Sequence, residues 1–275
     1  MIESDPACEY IIKPDQDVER FFSHTYINHY GMRSEQVPAT RSAETLRILF
    51  VGDSITYGTS RVDQRSIFTE LLHQDLPKLV HRPVEVLNAS AGGWAPDNEV
   101  SFLRSRGIFH SDIVFLVLND GDVTQPRSTI SQVGDDLPQT RPSTAISELF
   151  TRFIKPRLLH LVSKKDAGIT VGDASSKVID QNLADLDIAR EMVEGNSARL
   201  VLLYIPFRRD LPQISAHAQS TLHAWANARH ITIFDLSAAE LPYPAEQIDL
   251  QDGVHFNAKG HEMIAREIEK LWPQL

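Results

Sequence analysis

The residues with the types and spacing to do chemistry lie far apart in a 275-residue chain: Ser54 in VGDSITYG, and Asp252 with His255 in DGVHFN. A serine hydroxyl is a poor nucleophile at neutral pH. Acyl transfer through it requires a base within hydrogen-bond reach and a group that holds the base in the right tautomer. Asp252 and His255, three residues apart in a loop, supply both types: the carboxylate can support Nδ1 while Nε2 faces Ser54. Each also has a plainer reading. Ser, Asp and Gly favour turns and helix starts because they satisfy local backbone groups. A lone Asp-x-x-His is more simply a turn residue beside a surface histidine.

Charge that develops on a carbonyl oxygen must be met by preorganised donors. The backbone N–H groups of Ser54 and Gly93 are the natural candidates, since glycine at 93 lets the chain turn and lets a substrate come close. Gly92-Gly93 alone is simply a tight turn between a strand and a helix. Trp94 beside it is either core or the wall of an acyl or sugar pocket. Arg208-Arg209 is either solvated surface or a contact for an acidic substrate group. Asp53, Trp94 and Arg208 are therefore the candidates for contact with substrate.

Five apolar runs could position these residues: RILFV (47–51), VEVLNA (84–89), IVFLVL (113–118), LVLLYI (200–205) and ITIFDL (231–236). Their lack of polar alternation is the pattern of strands buried on both faces of a parallel sheet. Helical spacing at 66–80, 179–193, 214–228 and 258–272 supplies the crossovers, with Asn257 placed to cap the last helix. The pattern predicts an α/β chain: a three-layer α/β/α sandwich around a flavodoxin-like, doubly wound parallel sheet of five strands. Ligands bind beyond the carboxyl ends of such strands. The first, second, third and last of these runs lead into Ser54, Gly93, Asn119 to Asp122, and Asp252 with His255. Two regions fall outside the repeat. Residues 1–46 form an N-terminal extension, expected as an extended arm packing on the domain of residues 47–275. Residues 123–178 form a long insertion, with a helix expected near 145–163, and are a candidate lid or specificity element.

VGDSITYG, NASAGG and DGVHFNAKGH, in this order, resemble the signature blocks of the SGNH (GDSL) hydrolase superfamily of esterases and lipases. The resemblance implies that Ser54 is the nucleophile, that Asp252 and His255 complete a triad, and that Ser54 and Gly93 give oxyanion N–H groups. It also implies an asparagine donor in a Gly-x-Asn-Asp block after the third strand, where this chain reads LVLNDGDV instead. Matching Asn119-Asp120 keeps the donor at Asn119 and shortens the strand; matching Asp122 leaves Gly121 at that position. Asn119 is preferred. The segment YINHYGMRS (26–34) loosely resembles a leader in some SGNH proteins of polysaccharide acetylation or export. The motif is not the GxSxG elbow, since Thr56 stands where the second glycine belongs.

The net charge of −10 argues against nucleic acid or an anionic membrane as the main partner. Cys8 is the single cysteine, so neither an intrachain disulfide nor a thiolate metal site is expected. No secretory signal or run of eighteen apolar residues is visible, so a cytoplasmic chain without a membrane span is expected. Asn119 to Asp122 hints at a calcium loop but lacks the glutamate an EF-hand needs. His261 is expected on the last helix, facing away, and no zinc site is expected. The function that follows is a serine-dependent ester hydrolase acting through an acyl-enzyme on a small, carbohydrate or lipid ester, with no cofactor or metal. An O-acyltransferase of a polysaccharide pathway keeps the chemistry and changes the acceptor; a non-catalytic carbohydrate-binding domain keeps only the fold.

Overall fold

The computed structural model describes residues 1–20, 22–133, 139–140, 176–207, 212–240, 242–250 and 252–275. Most of the insertion, including the helix expected near 145–163, lies outside the described residues, as does Arg208.

The N-terminal residues are not a single extended arm. β1 (Ile2–Asp5) pairs with β2 (Glu9–Ile12), and β3 (Gln16–Arg20) with β4 (Ser23–Ile27), as two antiparallel hairpins. Pairing satisfies the backbone of strands too short to stand alone. It also turns Ile2, Tyr10, Ile12 and Ile27 into the core, where they are almost wholly buried.

The sheet itself is parallel throughout. β5 (Leu46–Gly52), β6 (Val84–Ser90), β7 (Ile113–Leu118), β8 (Arg199–Tyr204) and β9 (Thr232–Asp235) lie in the order β6-β5-β7-β8-β9. Every residue of β5 is buried, which explains why its sequence shows no alternation. Its side chains still divide by period two. Leu49 and Val51 join one cluster with residues of α3 (Pro96–Arg106), α4 (Ser176–Gly195) and α5 (Pro212–Ala228). Ile48 and Phe50 join the opposite cluster with α2 (Phe68–Val80) and α6 (Ala258–Leu271). The result is three layers, helix, sheet and helix, with the N-terminal hairpins added to the α3 side. Among the described residues no helix is long and apolar enough to cross a membrane.

The register fixes where the loops meet. Gly52 is level with Ser90 of β6 and with Val117 of β7, so the segments after these strands emerge at one edge. Those segments carry Ser54, Gly93 and Asn119.

Candidate active site

β5 ends at Gly52, where nothing larger fits: a Cβ there would lie 2.1 Å from Thr56 Oγ1 and 3.1 Å from Val117 Cβ. Asp53 then caps the one-turn helix α1 (Ser54–Tyr57), its Oδ1 accepting the Ile55 N–H at 2.8 Å. Ser54 therefore does open a helix, and it is at the same time aimed at a histidine. Its Oγ lies 2.8 Å from His255 Nε2, across 201 residues of sequence. His255 Nδ1 lies 3.0 Å from Asp252 Oδ2. With Nδ1 protonated, Nε2 is the free lone pair that can accept the serine proton.

Asp252 is held by the turn it belongs to. Its Oδ1 accepts the N–H groups of Val254 at 3.1 Å and His255 at 2.8 Å. Burial pushes its carboxyl up, but these N–H groups and the His255 ring outweigh burial and hold it below the usual carboxylate range. Asn257 caps α6 directly afterwards, accepting from Lys259 N and Gly260 N. The acid, the base and the start of the last helix are thus one continuous folded segment.

The candidate donors follow β5, β6 and β7, whose ends the register holds level. Asn119 follows β7 and is almost fully buried. Its Nδ2 donates to Asp53 Oδ2 at 3.1 Å, and its Oδ1 accepts the Gly121 N–H at 2.7 Å, so the amide is fixed at both ends beside the nucleophile. An amide nitrogen carries two hydrogens, and the bond to Asp53 uses one. Gly121 has no side chain to offer and only supports that of Asn119. Gly93 adopts φ 81°, a left-handed conformation that favours glycine, and its turn is fastened by Tyr10 Oη donating to the Gly92 carbonyl at 3.0 Å.

Trp94 is core and not a pocket wall. It is 1% exposed, donates Nε1–H to the Tyr10 carbonyl at 3.1 Å and packs against Phe102. His261 does not face away either: it is buried, stacks on Phe68 and accepts the Phe68 N–H at Nδ1. Burial, with Arg33 and His255 nearby, lowers its pKa to about 3, so it is a neutral packing residue. Asp120 and Asp122 are spent on the fold. Asp120 accepts from Tyr204 Oη and Phe207 N, while Asp122 accepts from Asn119 N and Gln125 Nε2. Among the described residues no group of three His, Cys, Asp or Glu could hold a metal ion.

The same chain matches the family model for GDSL-like lipase/acylhydrolase over residues 48–268. The chain belongs to that family. It is thereby placed among the esterases and acylhydrolases, and the family's parallel five-stranded fold is the one described above. No curated protein matches the sequence. Solved structures share the fold at low identity. A lipolytic G-D-S-L protein from Veillonella parvula is 14% identical, with a TM-score of 0.53 over 84% of this chain and 100% of its own. A variant of an acetyl xylan esterase from Geobacillus stearothermophilus is 15% identical, with a TM-score of 0.51 over 85% and 96%. A two-domain esterase active on acetylated mannans is 13% identical, with a TM-score of 0.56 over 84% of this chain and 49% of its own.

Three residues of this GDSL-like chain have roles that its motifs do not announce. Glu99 on α3 is fully buried, and neither carboxylate oxygen has a hydrogen-bond partner among the described residues. Burial first, and the charge of Asp53 second, push its carboxyl well above the usual range. Asp53 and Asp122 are pushed up too, in both cases mainly by burial. Arg33, in the YINHYGMRS segment, is buried and donates to the carbonyls of Tyr57, Thr59 and Val62 and to Gln64 Oε1. Arg61 pairs with Asp252. Arginine is mostly exposed, so its type alone gives no signal of such burial.

Proposed function

We propose that the protein is a serine esterase that works through an acyl-enzyme, and the observation that supports this best is the continuous hydrogen-bonded line from Ser54 Oγ through His255 to Asp252. His255 Nε2 takes the proton as Ser54 Oγ attacks the ester carbonyl. Asp252, kept charged by its turn, stabilises the imidazolium and fixes its tautomer. The Ser54 and Gly93 N–H groups and the second Asn119 amide hydrogen receive the oxyanion. His255 returns the proton to the leaving alcohol, then activates water to release the acid.

An acylated carbohydrate is the substrate class to try first, since two of the structural relatives act on acetylated xylan and acetylated mannans. Nitrophenyl esters of rising acyl length, given to wild type and Ser54→Ala, test the mechanism. The variant should lose on the order of a millionfold in kcat. Equal activity of the two proteins would sink the serine mechanism. Release of free acetate in the presence of a sugar acceptor separates hydrolysis from transfer to that acceptor.

A further inference from the structure

The loop that follows the nucleophile helix is fastened from outside by the N-terminal segment. Arg33 donates to the Tyr57, Thr59 and Val62 carbonyls at 2.7, 2.6 and 2.7 Å. From β4, Ser23 Oγ donates to the Arg61 carbonyl at 3.1 Å, the His24 N–H to Asp63 Oδ2 at 2.8 Å, and the Tyr26 N–H to Gln64 Oε1 at 3.2 Å. Within the loop Thr59 sits at φ 55°, a left-handed conformation that a β-branched residue rarely adopts, and its Oγ1 accepts the Arg61 N–H at 3.2 Å. Such outliers persist only where surroundings over-determine them, and they cluster at functional sites.

What the loop delivers is the Arg61 guanidinium. Its Nη2 lies 3.0 Å from Asp252 Oδ2, the same oxygen that faces His255 Nδ1, and joins positions 191 residues apart. We propose that Arg61 is a positioning residue of the catalytic triad: it pins the carboxylate oxygen toward His255 and, as a cation one carboxylate away, disfavours the imidazolium. The proposal rests on the serine-esterase reading above. Two effects follow from one contact. The carboxylate keeps the rotamer that presents Oδ2 to the ring, and the nearby cation weighs against positive charge on the imidazole. Among the described residues the other charged or titratable groups that interact with His255 are Asp252 in its own turn, Asp53 next to Ser54, and His261, which Arg33 also influences. Among the described residues Arg61 is a cation in direct contact with the triad, and at 51% side-chain exposure it can be removed without opening the core.

The test compares Arg61→Ala, Arg61→Lys and Arg65→Ala in kcat and in the pH profile of kcat/KM for nitrophenyl acetate. Arg65 is a cation of the same loop, and its removal is the control for net charge. Arg61→Ala should lose about threefold to tenfold in kcat with KM little changed. Its acid limb should move to higher pH by about half a unit, the size of an exposed ion pair expressed as a pKa change. Arg61→Lys should return the limb most of the way, and Arg65→Ala should leave it in place. An Arg61→Ala enzyme with wild-type kcat and limb overturns the proposal. A lower kcat with the limb unmoved also overturns it, because a merely loosened loop would give that result. An equal shift in Arg65→Ala overturns it as well, since net charge would then explain the limb. Ser54→Ala, assayed in parallel, keeps the two proposals apart: an active Ser54→Ala defeats the serine mechanism itself, whereas an inactive one beside a normal Arg61→Ala defeats only the role of Arg61.

Discussion

Asp252 adjoins His255 and Asp53 adjoins Ser54, and the fold treats the same carboxyl group in two ways. Asp252 is one-third exposed, receives two backbone N–H groups, the histidine and Arg61, and is held below the usual carboxylate range. Asp53 is buried and receives Ile55 N and Asn119 Nδ2, yet burial still prevails and its carboxyl is pushed up. Behind it lie Asp122 and Glu99, also buried and also pushed up. The lesson is that the partners around a carboxyl group, set against its burial, decide its charge. One side of the serine stores negative charge for an imidazolium to meet. Near Asn119 the fold instead uses Asp53 and Asp122 as fixed acceptors, one for its amide and one for its backbone N–H.

That contrast can be broken most severely at Asp252. Asp252→Asn should lower kcat about ten-thousandfold while leaving the thermal midpoint nearly unchanged, because the amide favours the wrong histidine tautomer. A loss under tenfold would mean that the acid does not orient the base. Asp53→Asn should act through Asn119 instead. It places an amide where Asn119 Nδ2 needs an acceptor, and misaiming one oxyanion donor costs roughly a hundredfold to a thousandfold in kcat. Labelling by a fluorophosphonate should slow in this variant without vanishing; complete loss of labelling would show that Asp53 holds Ser54 itself.

The smallest effect concerns Glu99 and is read in stability. A carboxyl raised in the folded state keeps a proton that the unfolded chain gives up above its ordinary pKa, 4.5 for Glu. The folded state therefore binds more protons over that window, and the stability contribution is full below pH 4.5 and falls as pH rises toward the raised folded value. Glu99→Gln cannot lose it. The thermal midpoint of the variant relative to wild type should climb as the pH is raised from below 4.5. A difference that stays constant with pH would show that Glu99 is not the group responsible.

Much of the scaffold could be read from the chain because its strands are buried on both faces, as in Leu46–Gly52, and because α2 and α6 each keep an apolar stripe. α3 escaped notice for the opposite reason: Asn98, Glu99 and Ser101 are among its buried residues, which breaks the stripe. The hairpins were hidden by strands of four and five residues and by left-handed positions at Glu9 and Phe22, residue types that do not announce such turns. Ser54, His255 and Asp252 were legible because two separate motifs, at opposite ends of the domain, carry them. Trp94 was not, since a large aromatic side chain suits a core and a pocket equally well. Arg61 left no trace, because its partner is 191 residues away and only the folded loop brings them together.

The double hairpin has a consequence for how the chain acquires its structure. Its fastenings are remote in sequence: Arg33 to Thr59 spans 26 residues, Trp94 to Tyr10 spans 84, Asn98 to Cys8 spans 90 and Arg106 to Asp5 spans 101. Contacts of such separation form late, because loop closure must precede any gain from them. As a ribosome extends the chain, residues 1–34 emerge before every one of these partners, with Ile2, Tyr10, Ile12, Ile27 and Met32 still uncovered. The part made before the sheet is thus completed after it, and reactivity at Ser54 has to wait for its oldest neighbours to settle.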